Sequence, residues 1–125
     1  MTEFALPVDG VIATNRKLTR TAYNVLDRGK LESALARPLA TGFGEMLYPT
    51  ILQRGAALLS GLAAAHAFVD ANKRTAWLSC NVYLNAYESR LQEVPENKAA
   101  DFVEAVVVCH YQVDFIAAWL ADHLA

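Results

Sequence analysis

The sequence predicts an all-α protein: a compact bundle of about six helices, with a short flap before the central helix. Three observations predict it. Apolar residues recur at spacings of three and four along most of the chain, which is the period of a helix with one buried face. The period-two alternation of half-buried strands is almost absent. Of the 125 residues, 54% are apolar, enough for a buried core, while glycine and proline number only six and four. That length suits one domain over residues 1–125, and no repeat, low-complexity tract or linker divides it.

In chain order, residues 1–6 read as a loose or edge segment. Residues 8–18 predict a first helix with Val11, Ile12 and Leu18 inward and Asn15, Arg16 and Lys17 exposed. Tyr23, Val25 and Leu26 lead to Asp27-Arg28-Gly29, a turn or helix start. A short helix over 30–37 puts Leu31, Ala34 and Leu35 on one face and leaves Glu32 and Arg37 solvated, and Pro38 stops it. Residues 41–49 hold two glycines and a proline and read as a loop or short extended flap.

Residues 50–66 form the longest expected helix. Thr50 and Gln53 fit a capping box. Ile51, Gly55, Leu58, Leu62 and Ala65 share a stripe that Leu52 and Leu59 widen, and almost nothing after Arg54 is charged. A helix apolar on most sides belongs in the middle of a bundle. The next helix, over 74–87, lines up Ala76, Cys80, Tyr83 and Tyr87 beside Trp77 and Leu84, with Asn81 and Asn85 exposed. After a break at 91–95, Asn97 caps a helix to about His110, with Phe102, Val103, Val106 and Val107 inward. Asp114 caps the last helix, which buries Phe115, Ile116, Trp119, Leu120 and Leu124. His110 and His123 fall at helix ends or on the surface.

Several function classes are excluded. A net charge of −2 gives no broad basic field, so direct nucleic-acid binding is not expected. No apolar run approaches the ~20 residues of a spanning helix, and the N-terminus lacks a signal pattern, so a cytoplasmic protein without a membrane partner is expected. Cys80 and Cys109 read as small buried thiols, not a disulfide framework. The three histidines show no zinc-ligand spacing with them.

Between the two central helices lies His66-Ala67-Phe68-Val69-Asp70-Ala71-Asn72-Lys73-Arg74-Thr75. A helix, a short polar bend and a second helix make an anion site, because the first turn of the second helix carries unpaired N–H groups and partial positive charge. His66 offers a base whose ordinary pKa lies near neutrality. Asp70 is a hard oxygen ligand of the kind Mg²⁺ takes beside phosphates. Asn72 offers donors, Lys73 a mobile charge and Arg74 a bidentate grip on phosphate. Phe68 and Val69 are the apolar pins holding the loop to the core. Singly, each polar residue has a structural explanation: His66 as a helix-end group, Asp70 or Asn72 as an N-cap. Together, in this order, they are the parts of phosphoryl or nucleotidyl transfer.

The pattern His-x-Phe-x-Asp-Ala-Asn-Lys-Arg resembles the signature of the Fic/Doc superfamily, and specifically its Doc (death-on-curing) branch. The resemblance extends over most of the chain. It implies a Fic/Doc-like fold and the toxin of a toxin–antitoxin system. The toxin would be a protein kinase that uses ATP and Mg²⁺ to phosphorylate a hydroxyl of a protein, with elongation factor Tu as the family precedent. It implies His66, Asp70 and Arg74 as catalytic residues, Asn72, Lys73 and Arg74 as phosphate-binding residues, Asp70 as metal ligand and Phe68 as loop anchor. The flap, residues 43–48, would line up the target peptide.

Fic proteins that transfer AMP usually have Gly where this chain has Lys73, Glu-Gly where it has Asp70-Ala71, and a second Arg at the position of Trp77. Those differences favour γ-phosphate transfer from a nucleotide bound in the flipped orientation. AMP transfer is the alternative, together with a non-catalytic antitoxin-binding or co-repressor module. The self-inhibitory Ser/Thr-x-x-x-Glu-Gly/Asn pattern of many Fic proteins is not met, because Met46 follows Thr41 to Glu45 and Val94 follows Ser89 to Glu93. Restraint is therefore expected from a separate Phd-like antitoxin, a disordered segment that folds as a helix into an apolar groove.

Overall fold

The computed structural model describes residues 5–125. They form helices α1 (Val8–Thr19), α2 (Arg28–Ala36), α3 (Ile51–Ala65), α4 (Asn72–Ala86), α5 (Glu96–Val108) and α6 (Val113–Asp122). A 3-10 turn, Arg37–Leu39, follows α2 and leads to a hairpin of β1 (Thr41–Gly42) and β2 (Glu45–Met46) before α3. The hairpin is the expected flap, with Thr41 opposite Met46 and Gly42 opposite Glu45. Of the N-terminal segment expected to be loose, residues 1–4 lie outside the described residues, and Leu6 belongs to the core. No helix among the described residues is long and apolar enough to cross a membrane.

α3 is the central rod. Thr50 Oγ1 accepts from Gln53 N–H at 3.2 Å and the Gln53 side chain accepts from Thr50 N–H at 3.0 Å, so the capping box starts the helix. Ala56 to Leu59 are all at 0% exposure, and α3 packs against α2, α4, α5 and α6. Contact with α4 is tight at Gly55, where an added Cβ would stand 2.8 Å from Leu84 Cδ2 and 3.8 Å from Cys80 Sγ. Gly55→Val should therefore lower stability by about 1–3 kcal/mol through overpacking, read as a fall in the urea midpoint at unchanged m.

The two cysteines differ, which corrects the expectation that both are buried. Cys80 is buried, and burial pushes its thiol up to about 12. Cys109 is exposed because α5 ends at Val108 and Cys109 is its C-cap. Alkylation of the native chain near neutral pH should label Cys109 alone, with Cys80 reacting only after unfolding. Peptide mapping by mass spectrometry checks this.

Other side chains also depart from expectation. Arg37 is not a solvated residue: it donates to Ala57 O at 3.2 Å and Tyr48 Oη at 3.1 Å, strapping the end of the hairpin to α3. α2 begins at Arg28 because Asp27 Oδ1 caps Lys30 N–H at 2.9 Å. Pro95 and not Asn97 precedes α5, and Gln112 and not Asp114 precedes α6. Asp114 instead accepts from Gln53 Nε2 at 3.1 Å, joining α6 to the start of α3. Phe115 is 56% exposed and packs on Tyr111, with ring centroids 4.5 Å apart; Ile116 and Leu120 carry the buried face of α6. α5 and α6 are joined by an aromatic column. Trp119 stacks on Phe102 at 3.8 Å, His123 stacks on Trp119 at 3.7 Å, and Trp77 of α4 meets Trp119 edge-on at 6.0 Å.

Candidate active site

The polar bend is bounded by two residues in the left-handed region, His66 (φ 50°), which closes α3, and Ala71 (φ 59°), which opens α4. Such conformations cost roughly 1–2 kcal/mol for a residue with a Cβ and persist where the surroundings impose them. The surroundings here are hydrogen bonds. Asn72 Oδ1 accepts from Phe68 N–H at 3.0 Å and Asn72 Nδ2 donates to Phe68 O at 3.0 Å. One amide thus ties the loop across its width and keeps one hydrogen for a ligand. Neither Asp70 nor Asn72 is the N-cap of α4; that position is Ala71, without a side-chain cap.

Phe68 is 2% exposed and anchors the loop in the core. Val69 is not a pin: it is 59% exposed, because it follows buried Phe68 in a short extended stretch bridged to Val25, where successive side chains point to opposite sides. Ala67 is the second buried member, and its carbonyl accepts from Leu26 and Asp27 N–H.

The sequence reading placed Asn15 on the exposed face of α1, but it is at 0% exposure. Its Nδ2 donates to Asp70 O at 2.9 Å and to Thr75 Oγ1 at 3.0 Å. Its Oδ1 accepts from Asn24 Nδ2 at 3.0 Å, and Asn24 also donates to Ile12 O at 3.1 Å. This buried amide pair holds Asp70 and the first turn of α4 in register with α1. The signal was present in the sequence: Asn15 lies four residues after Val11 and three after Ile12, on their buried stripe.

The loop opens into a cleft of about 570 Å³. His66, Asp70, Asn72, Lys73 and Arg74 all line it, and Phe68 lies beneath, so five of the six expected residues meet at one end. The opposite wall is α5, with Glu96, Ala99, Ala100, Val103 and Glu104. None of these α5 residues was expected at the site. Arg74 meets Glu96 Oε1 at 3.6 Å, so α5 begins beside the beginning of α4. Both side chains of that pair are largely exposed, and such pairs contribute little and exchange readily. Asp70 Oδ1 accepts from Ala71 N–H at 2.7 Å, which leaves Oδ2 for a ligand.

Among the described residues no group of three His, Cys, Asp or Glu is placed to hold a metal. One free carboxylate oxygen still suits Mg²⁺, which takes one or two protein carboxylates and fills its shell with phosphate and water. No hairpin residue lines the cleft.

Residues 5–84 match the Fic/DOC family. The chain belongs to the Fic/DOC family. It is also 40% identical over 102 residues to a protein of Mycolicibacterium smegmatis (strain ATCC 700084 / mc(2)155) named Toxin Doc, across 81% of this chain and 78% of that protein. The Fic/DOC match covers α1 to most of α4, hence the loop and both buried asparagines, while the α5 wall lies beyond it.

Proposed function

We propose that this Fic/DOC protein is the toxin of a toxin–antitoxin pair and a protein kinase. It would move the γ-phosphate of ATP to a hydroxyl of a protein target, with elongation factor Tu as the precedent from its Doc-like signature. The observation that carries the reading is the meeting of His66, Asp70, Lys73 and Arg74 at one end of one cleft. That set supplies a base, a metal ligand and two phosphate clamps. The likeness to Toxin Doc supports the toxin role and with it an antitoxin partner.

His66 takes the proton of the attacking hydroxyl. The hydroxyl oxygen bonds to the γ-phosphorus as the bond to the β,γ-bridging oxygen breaks, and ADP leaves with that electron pair. Lys73, Arg74 and the unpaired N–H groups of the first turn of α4 bind the charge on the phosphates. Arg74 releases Glu96 for phosphate, the stronger bidentate partner. Asp70 Oδ2 would hold Mg²⁺, which when bound neutralises charge on the phosphate oxygens. Asn72 keeps the loop in shape and offers its remaining N–H.

Incubating the chain with γ-labelled or α-labelled ATP and a cell extract tests the reading. Protein-bound label from the γ position alone is expected. Label from the α position alone overturns it in favour of AMP transfer.

A further inference from the structure

We infer that the protein substrate docks through an acidic, extended segment in a groove beside the catalytic loop, formed by α1, the α1–α2 connection and the start of α2. The inference rests on the reading of the loop as a phosphoryl-transfer site and adds the chemistry of the partner. Three observations carry it.

Charge is unevenly placed along the chain. Residues 16–30 hold five of the eleven Lys and Arg but one of the thirteen Asp and Glu. Arg16, Lys17, Arg20, Arg28 and Lys30 are all exposed. Arg16 and Arg28 line the groove, an open hollow of about 390 Å³. Arg16 has no ion-pair partner among the described residues. Arg28 meets Glu32 at 3.0 Å and Asp9 at 3.5 Å, in exposed pairs that exchange readily for another carboxylate. A chain without a broad basic field thus carries a local one, complementary to a partner rich in carboxylates.

The groove also offers apolar surface. Ile12 and Val25 line it beside Tyr23, which is 91% exposed. Tyrosine at such a position supplies contact area with a polar tip. Leu26 and Val69, on the two bridged stretches, are exposed as well. An inorganic anion gains nothing from these side chains. A peptide that alternates acidic and apolar residues gains from both.

The third observation is a strand edge. Val25 is bridged to Phe68 through Val69 N–H to Asn24 O at 2.9 Å and Leu26 N–H to Ala67 O at 2.8 Å. In that antiparallel pattern the N–H and C=O of Val25 point away from the loop, and they have no partner among the described residues. An open edge of this kind accepts an extended peptide as an added strand. A segment added there lies two strand spacings, about 10 Å, from the stretch that runs from His66 to Asp70. About three or four extended residues then carry a neighbouring hydroxyl to the imidazole.

The probes are an eight-residue peptide of alternating Glu and Val, its Lys/Val counterpart and single-stranded RNA, each measured with the full chain by fluorescence anisotropy. Transfer of γ-label to proteins of a cell extract and Mg-ATP binding by calorimetry are followed in parallel. Arg16→Glu combined with Arg28→Glu, and Tyr23→Ser alone, change only exposed side chains, and circular dichroism checks their fold. The wild type should bind the Glu/Val peptide, release it at high salt and ignore the Lys/Val peptide. The Glu/Val peptide should compete with label transfer. The double charge reversal should weaken both peptide binding and transfer at least tenfold, and Tyr23→Ser at least threefold, while Mg-ATP affinity stays within twofold. Transfer within twofold of wild type in the charge reversal overturns the inference. So does binding of RNA in place of the acidic peptide, or a dimer in sedimentation that the charge reversal dissolves. If the wild type transfers no γ-label at all, the phosphoryl-transfer reading falls and the inference with it.

Discussion

His66→Asn is expected to slow phosphoryl transfer by about 10²–10⁴-fold, the usual contribution of a positioned general base, while the protein folds as before. Both halves of that expectation come from the structure. The side chain is exposed and lines the cleft, and no hydrogen bond or ion pair of this imidazole ties it to the rest of the described residues. Its backbone sits at φ 50°. Asparagine tolerates that region better than most residues, so the loop keeps its turn, whereas alanine would add a change in backbone preference to the loss of the base. The measurements are the rate of γ-label transfer and the urea midpoint. A transfer rate equal to wild type would remove His66 from the mechanism. If toxicity in cells also persisted, the protein would be acting through contacts and not through chemistry.

Asn15→Leu should be the most destabilising single change near the site. The two side chains are similar in size, so packing is roughly conserved and the effect isolates polarity. The change leaves the Asp70 carbonyl, the Thr75 hydroxyl and one Asn24 amide hydrogen without the partners they have at 2.9, 3.0 and 3.0 Å. Each buried group left unpaired costs about 1–3 kcal/mol. Some relaxation is expected, since a hydroxyl can turn to another acceptor, so about 3 kcal/mol is a fair total. That is a large share of the ~5–15 kcal/mol that holds a typical domain together. Transfer should fall as well, because the Asp70 carbonyl is no longer held against α1. A double-mutant cycle with Asn24→Ala should give non-additive losses. An unchanged midpoint for Asn15→Leu would show that the amide network contributes nothing net.

Helix positions were legible because one physical signal, apolar spacing, governs them, and α3 with its capping box shows this most clearly. The polar set around His66 was legible as a set, because five polar residues of distinct chemistry stand in a short span. Three kinds of information were not accessible. Which polar residue on a buried stripe is satisfied internally depends on a partner far along the chain, as between Asn15 and Asp70. Where a helix begins within a turn depends on more than local caps: α6 starts after Gln112 without a side-chain cap, while Asp114 is engaged by Gln53 of α3. The second wall of the cleft comes from α5, and no spacing rule ties Glu96 to Arg74. Val69 fell to a simpler effect: in the short extended stretch that Phe68 shares with Val25, the residue after a buried one points the other way.

The column of Phe102, Trp119 and His123 places a structural member outside the cleft in control of its bore. No residue of α6 lines the cavity, yet Trp119 is wedged between Trp77 on one bank and Phe102 on the other. Oxidative damage to that single indole would slacken the grip on a bound molecule while every group that performs chemistry stayed in place. The tail of the chain thus works as a gauge block, setting tolerance for a tool it never touches.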